Sequence, residues 1–216
     1  MTEKIIVVGE YGSGKTEFAL NLAVQKAVEE KVILVDLDIV NPYFRSREAK
    51  AQLADKDIEF VFNQRLQNAD LPALSPRVDA ALTQPGSVII DVGGDDGSVV
   101  LGRYRERLLR AGAEVWQVVN CSRPFTSTAA GIVEAAARIE AKSGLRVNAL
   151  INNTNLGRET TANDVIEGAK IIAEAAASLK LPVLWHCARP EILPELSTHL
   201  EQLFSMDISL FPAYLS

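Results

Sequence analysis

The sequence is short of cysteine, of long apolar runs and of basic charge, and each shortage excludes a class of protein. Two cysteines occur among 216 residues, far apart and without a C-x-x-C pair, so neither a redox pair nor a cysteine-based metal site is expected. No apolar run approaches the roughly 18 residues of a membrane-spanning helix. The 22 basic residues are outnumbered by 28 acidic ones, which disfavours nonspecific binding to nucleic acid or to an anionic membrane.

The N-terminal region enters an apolar strand almost at once, which does not fit a secretory leader. We therefore expect a cytoplasmic protein in which both cysteines are buried thiols. A hydrophobic content of 48% and a charged content of 23% are typical of a globular chain. The length fits a single domain with a sizeable core, and we predict one domain over residues 1–216.

Short apolar segments alternate with helical ones along the chain. Most of these segments are continuously apolar, as is typical of strands covered on both faces. Alternation of this kind predicts an α/β fold with a doubly wound, mainly parallel sheet flanked by helices, which binds its ligand at the carboxyl ends of the strands. The predicted strands are 5–8, 32–35, 58–62, 88–90, 115–119, 147–151 and 182–185, and the predicted helices are 15–29, 46–54, 73–83, 99–111, 126–143, 162–179 and 193–204.

The first strand is followed by a glycine-rich loop, Gly9-Glu10-Tyr11-Gly12-Ser13-Gly14-Lys15-Thr16, with Glu17 behind it. This loop matches G-x-x-x-x-G-K-[ST], the phosphate-binding P-loop, although a chance glycine turn is the alternative. The glycines let successive N–H groups point at one anion, and the N-terminus of the following helix favours the same charge. We predict that residues 9–17 bind a nucleotide, that Lys15 reaches its β- and γ-phosphates, and that Thr16 binds Mg²⁺.

The second strand ends in Asp36-Leu37-Asp38. Carboxylates two residues apart at a strand end lie on the same side of the pleat. One of them could hold the magnesium shell through water while the other orients an attacking water, and a solvated strand end is the alternative.

The strand at 88–90 ends in Asp91, and Gly94 follows three residues later. An apolar strand ending in aspartate suits a Walker B site. Asp91 would contact Mg²⁺ through water, and the Gly94 N–H could sense the γ-phosphate.

The last two predicted strands end in groups that could form a base pocket. Asn152 and Asn153 follow one strand, and an amide can both donate to and accept from a purine edge, although asparagine also favours turns. Arg189 and Pro190 follow the other strand and could form the opposite wall. His186 and His199 have no readable acid or base partner, so a structural role is favoured for both.

Together these motifs resemble the SIMIBI class of P-loop NTPases, in particular the MinD/ParA-like (CobQ/CobB/MinD/ParA) ATPases. The match comprises the loop 9–16, Asp36-Leu37-Asp38 with Pro42 after it, and Asp91-Val92-Gly93-Gly94. The resemblance implies the P-loop NTPase fold, ATP with Mg²⁺, and catalysis by Lys15 and Asp38, with Asp38 positioning the hydrolytic water. It also implies that Asn152 or Asn153 contacts adenine, and that the nucleotide-bound protein forms a face-to-face homodimer.

One position departs from the family pattern. Such ATPases usually carry a second lysine after the first P-loop glycine, and Glu10 stands there instead. A carboxylate beside phosphates repels them unless it turns away or pairs with an arginine. Arg45, Arg47 or Arg103 could replace the missing lysine.

The roles known for the resembled family can be weighed against the composition. A membrane anchor needs a basic amphipathic C-terminal helix, and no Lys or Arg follows Arg189. Iron–sulfur carriers need a cysteine pair, and chromosome-partition proteins need a basic DNA face. What remains is an ATPase that acts as a switch on an unidentified protein partner, without membrane or nucleic acid.

Two alternatives use the same P-loop: a small-molecule phosphotransferase with Asp38 as its base, and a nucleotide sensor that does not hydrolyse ATP. GTP would call for an N-K-x-D segment, and Asn152-Asn153-Thr154-Asn155 lacks its lysine and aspartate. The sequence therefore favours ATP.

Overall fold

The computed structural model describes residues 3–37, 56–62 and 76–207, and eight strands among them form one sheet in which all neighbours are parallel. In chain order the strands are β1 (Lys4–Val8), β2 (Val32–Asp36), β3 (Ile58–Phe62), β4 (Ser87–Asp91), β5 (Glu114–Val119), β6 (Val147–Asn152), β7 (Val183–Ala188) and β8 (Leu203–Ser205). The described helices are α1 (Lys15–Lys26), α2 (Pro76–Thr83), α3 (Gly94–Arg110), α4 (Ala129–Ser143), α5 (Ala162–Leu179) and α6 (Leu193–Leu196), with short 3₁₀ turns at Pro124–Thr126 and Gly157–Glu159.

The strand order is β3-β2-β4-β1-β5-β6-β7-β8, which places β1 inside the sheet with β4 and β5 on its two sides. The chain winds outward from β1 in both directions, so the sheet is doubly wound and the predicted fold class is confirmed. The carboxyl ends of β1, β4, β5 and β6 therefore meet at one edge of the sheet, where parallel α/β sheets bind their ligands.

Alternating side chains of β1 enter two separate cores. Ile6 and Val8 pack in the core that holds apolar residues of α2, α3, α4 and α5, whereas Ile5 and Val7 pack in the core beneath α1. All four side chains are at most 1% exposed. Burying a side chain of this size completely contributes about 1.5–3 kcal/mol, so covering both faces of β1 stabilises the strand that carries the glycine loop.

All seven predicted strands are present, and α5 has the predicted bounds 162–179. Helix α3 starts at Gly94, five residues before the predicted 99, because its first turn packs directly on the end of β4. A Cβ atom on Gly97 would lie 2.6 Å from Val92 Cγ1, so glycine permits this close approach. Gly94 and Gly97 therefore lie in the first turn of a helix and not in a loop.

The predicted helix at 193–204 is wrong beyond Leu196. Helix α6 ends at Leu196, Gln202 adopts a left-handed φ of 54°, and the chain then forms strand β8 beside β7. Phe204 explains the change, since its ring packs 5.2 Å from that of Phe18 and 5.7 Å from that of Trp185. These aromatic contacts come from α1 and β7, so the local sequence pattern does not show them.

Several predictions fall on residues outside the described ranges: the helix at 46–54 and the roles of Asp38, Arg45 and Arg47. The single-domain organisation also stays a prediction. Cys187 is buried, as expected, and burial raises the pKa of its thiol, while Cys121 is half-buried. No helix in the described part of the chain is long and apolar enough to cross a membrane.

Candidate functional site

The glycine loop connects β1 to α1 and lies against the ends of β5 and β6. A side chain at Gly9 would collide with the Val118 carbonyl oxygen, and one at Gly14 would collide with the Asn153 amide nitrogen. Gly14 also has a φ of 81°, a left-handed conformation that side-chain-bearing residues rarely adopt. The structure therefore requires glycine at both positions, and it brings the loop backbone within reach of two neighbouring strand ends.

Three carbonyl groups of the loop are each held by a side-chain donor. Glu10 O accepts from Lys15 Nζ at 2.9 Å, Gly12 O accepts from Arg123 Nε at 3.2 Å, and Ser13 O accepts from Asn153 Nδ2 at 2.8 Å. The N–H of the next residue points to the opposite side of each planar peptide. Fixing the carbonyl groups thus pre-orients the amide groups of the loop, as in a backbone nest for an anion.

Asn120 joins the loops that follow β1, β5 and β6. Its side-chain nitrogen donates to Asn155 O at 3.1 Å and, more weakly, to Gly12 O at 3.5 Å. Its side-chain oxygen accepts from Ser122 N and Asn155 N, and the residue is fully buried. Asn120 is not among the predicted site residues, although it follows a strand directly, which is the signal that pointed to Asn152.

The amide of Asn152 is used entirely inside the protein. Its nitrogen donates to Val165 O at 3.1 Å and faces His186 Nδ1 at 3.0 Å, while its oxygen accepts from Thr154 N at 3.1 Å. The side chain is fully buried. Asn153 is 5% exposed and its side-chain nitrogen donates to Ser13 O, so both asparagines are engaged inside the protein, and a purine contact by either of them stays a prediction.

The same contacts define the state of His186. Because the Asn152 oxygen accepts from a backbone N–H, its nitrogen is the group that faces His186, so Nδ1 must be an acceptor and the ring is neutral with its proton on Nε2. Desolvation by burial lowers the pKa of His186 below its ordinary value of 6.5. This half-buried histidine has the structural role that was expected.

We expect the stability of the protein to fall as the pH drops below about 6.5, because the unfolded chain then binds a proton that folded His186 resists. The stabilisation from neutral His186 is fully present above the pKa that this histidine has in the unfolded chain. It is lost as the pH falls toward the lower pKa that it has in the folded chain. Urea unfolding between about pH 5.5 and 7.5 measures it, and His186→Gln should flatten this profile. His199→Gln, at an exposed histidine, is the matched control; an equal flattening there would contradict the assignment.

Two acidic residues meet at the ends of β2 and β4. Asp36 and Asp91 are partners in the register of these strands, and they are 6% and 5% exposed. Partners in register project to the same face of the sheet, where two buried carboxylates repel each other unless positive charge offsets them. This placement suits a cation such as Mg²⁺, and it lies beside β1, from which the glycine loop starts. Thr16 is the second residue of α1, which packs on β4.

The unusual acidic residue of the loop is paired. The Glu10 carboxylate accepts from Arg138 Nη2 of α4 at 2.7 Å, and its side chain is 16% exposed. The sequence analysis required a turned or arginine-paired carboxylate but did not name Arg138, which lies 128 residues away in the chain. Arg103, a suggested replacement for the missing lysine, lies on an exposed face of α3.

The remaining predicted residues are Arg189, Pro190, Gly94, Glu17 and Tyr11. Arg189 Nη2 donates to Arg158 O at 3.0 Å and to Thr160 O at 3.3 Å, which ties the loop after β7 to the loop after β6. Pro190 is exposed in that loop. Gly94 is the first residue of α3, so its N–H has no acceptor within the helix. Glu17 lies in the first turn of α1, and Tyr11 is 89% exposed.

No family model and no curated protein sequence matches the chain. Among solved structures it is similar to FtsY from Thermotoga maritima, at 20% identity and a TM-score of 0.56 over 85% of this chain and 60% of that one. FtsY from Mycoplasma mycoides gives 18% identity and a TM-score of 0.57, over 85% and 59%. A nucleotide-binding protein from Archaeoglobus fulgidus, solved in complex with ADP, gives 15% identity and a TM-score of 0.53, over 96% and 83%.

At these identities the likeness shows the fold alone. The chain has the P-loop NTPase fold of these structures, and the predicted fold is confirmed. The SIMIBI class stays a resemblance. The chain spans about 60% of the length of these FtsY chains. The narrower MinD/ParA-like subgroup stays a prediction.

Proposed function

We propose that the chain is a Mg²⁺-dependent ATPase of the MinD/ParA-like kind that acts as a nucleotide switch on a protein partner. The observation that supports this most is the glycine loop itself, whose carbonyl groups are held by Lys15, Arg123 and Asn153 directly before the N-terminus of α1. A backbone nest, a buried lysine and a helix N-terminus then converge on one anion site.

Each predicted site residue has its own role in the proposed reaction. The loop amides and Lys15 bind and orient the phosphates, and Asp36, Asp91 and Thr16 hold Mg²⁺, which neutralises charge on the β- and γ-phosphate oxygens. Asp38, outside the described residues, orients the attacking water. The Gly94 N–H, at the start of α3, would report whether a γ-phosphate is present.

The segment 152–155 lacks the lysine and aspartate of N-K-x-D, which favours ATP over GTP. Among proteins with similar structures, FtsY from Elizabethkingia anophelis was solved with GDP and the Archaeoglobus fulgidus protein with ADP, so the shared fold accommodates either base.

Calorimetric titration with ATP, ADP and GTP, followed by a phosphate-release assay, tests the proposal. We expect ATP to bind at least tenfold more tightly than GTP and phosphate to be released into water. Tighter binding of GTP would overturn the adenine assignment. Binding without phosphate release would favour a sensor, and release that requires a small acceptor would favour a phosphotransferase.

Arg138→Gln is expected to weaken ATP binding about tenfold. The variant lacks the guanidinium that pairs with the Glu10 carboxylate, so this negative charge then repels the phosphates. A unit charge about 10 Å away, at an effective dielectric constant of about 20, contributes roughly 1–2 kcal/mol. The loss should be larger for ATP than for ADP, which carries less charge. Titration of both nucleotides measures it.

The double variant Glu10→Gln/Arg138→Gln is the control for this prediction. It removes both charges and should restore most of the affinity. If it binds ATP as weakly as Arg138→Gln does, the pair acts by holding the loop in shape and the charge argument fails.

ATP with Mg²⁺ is expected to drive reversible homodimerisation with the nucleotide faces opposed. Large exposed side chains support an interface there: Tyr11 is 89%, Phe125 71% and Leu156 52% exposed, on loops that follow the neighbouring strands β1, β5 and β6. A partner would also exclude water from the γ-phosphate.

Light scattering on the Asp38→Ala variant measures this assembly. Because this variant should not hydrolyse its bound ATP, it should stay in the ATP-bound state, and the dimer should accumulate. A mass about twice the 23.5 kDa of the chain is expected with ATP, and the chain mass with ADP. A monomeric mass at saturating ATP and micromolar protein would reject the homodimer and favour activation by a different protein.

A further inference from the structure

A cluster of arginines lies on the exposed side of α3. Arg103, Arg105, Arg107 and Arg110 fall within eight residues of a chain whose net charge is −6, and all four are exposed. Together with Gly102 and Glu106 they line an open cavity of about 420 Å³. Arg103 is nine residues along α3 from Gly94, about 13 Å, so the cluster is separate from the glycine loop.

Three of the four arginines, Arg105, Arg107 and Arg110, are held in place by contacts with the protein. Arg105 Nε donates to Gly144 O at 2.7 Å, and Arg110 Nε donates to Glu106 O at 3.2 Å. Arg107 is ion-paired with Asp79, and its guanidinium lies 5.8 Å from the centre of the Tyr104 ring. Anchoring through Nε leaves the terminal N–H groups of Arg105 and Arg110 for a ligand, and side chains that are already ordered lose less entropy on binding.

The charge of the cluster selects an anionic ligand. Among the described residues, Glu106 lines the same cavity and Asp79 pairs with Arg107, whereas Arg105 and Arg110 donate to backbone carbonyl groups that carry no net charge. Guanidinium groups bind carboxylates and phosphates in a planar, two-pronged geometry, which strengthens and orients the contact.

Apolar side chains on the same helix favour a protein ligand over a nucleic acid. Val99 is 49% and Leu109 50% exposed; Val99 is at helical spacing from Arg103 and Arg110, and Leu109 lies one turn after Arg105. Apolar groups of this size fit side chains of a polypeptide better than a phosphate backbone.

We propose that this arginine face, formed by Val99, Arg103, Arg105, Arg107, Leu109 and Arg110, docks an acidic and partly apolar segment of a protein partner. The arginines bind its carboxylates, and Val99 with Leu109 contacts its apolar side chains. We take this partner to be the protein on which the nucleotide switch acts, and only that identification rests on the proposed function.

Fluorescence anisotropy of the full chain with a labelled peptide of alternating Glu and Leu pairs tests the proposal. A peptide with Lys in place of Glu and a single-stranded oligonucleotide of equal charge serve as comparison probes. We expect the acidic peptide to bind with a micromolar Kd that weakens as salt is raised. The oligonucleotide should bind at least tenfold more weakly and the Lys peptide not at all.

Two variants locate the binding. Arg105→Gln/Arg110→Gln should raise the Kd of the acidic peptide at least tenfold, whereas Lys31→Gln/Lys170→Gln, which removes two exposed cations elsewhere, should change it less than twofold. Leu109→Ala should raise the peptide Kd severalfold and leave oligonucleotide binding unchanged. Thermal unfolding of each variant verifies that it folds as the unaltered chain does.

Absence of peptide binding, equal losses in the two charge variants, or tighter binding of the oligonucleotide would each overturn the proposal, the last in favour of a nucleic-acid surface. The peptide assay is run without nucleotide, so its result is independent of the ATP titration. A chain that binds the peptide but not ATP would refute the proposed function and keep this inference.

Discussion

Lys15→Ala is expected to reduce the affinity for ATP by at least a hundredfold and to abolish turnover. The Lys15 side chain is 8% exposed, and its ammonium group is held at the glycine loop by the Glu10 carbonyl oxygen at 2.9 Å. In the proposed complex it binds phosphate oxygens, and a charge-assisted hydrogen bond to phosphate is roughly twice as strong as a neutral one. No other side chain of the loop supplies positive charge.

Calorimetry with ATP and ADP measures this loss, and a phosphate-release assay follows turnover. Lys26→Ala is the matched control, since Lys26 lies at the other end of α1 in an ion pair with Glu3 and should leave affinity unchanged. Unchanged ATP affinity together with unchanged turnover in Lys15→Ala would refute the P-loop assignment. An unfolding midpoint near that of the unaltered chain separates lost binding from lost folding.

Asp38→Ala is expected to spare ATP binding and to slow hydrolysis by about 10²–10⁴-fold, because it removes the group proposed to orient the attacking water. Asp38 lies outside the described residues, but the residue before it is placed. The Leu37 N–H donates to Asp91 O at 2.9 Å, so the chain leaves β2 directly beside the end of β4.

Single-turnover hydrolysis measures this effect, with Asp57→Ala, at an exposed position before β3, as the control that should keep full activity. Asp91→Ala should weaken the dependence on Mg²⁺ instead. If Asp91→Ala blocks turnover while Asp38→Ala has no effect, the division of roles between the metal-binding and water-orienting carboxylates is wrong.

The sheet could be predicted from the sequence because its inner strands are short, continuously apolar segments. Each of these is buried on both faces, and the pattern lies within five or six consecutive residues. Helix α5 was predicted with its bounds because its signals are also local: Thr161 and Asp164 form a capping box at its start. Strand β8 was missed, since Phe204 is held there by Phe18 and Trp185 rather than by its neighbours in sequence.

By itself, the sequence determined the α/β class and the glycine loop, because a motif whose parts are contiguous needs no knowledge of distant contacts. The tertiary structure alone decided which groups hold that loop: Asn120, Arg123 and Arg138 lie more than 100 residues from it in the chain. It also decided that Asn152 faces His186 and the interior while Asn153 contacts Ser13. The physical reason is that strand order sets which loops meet at the edge of the sheet, and the direction of each side chain there follows from backbone contacts that residue identities do not contain.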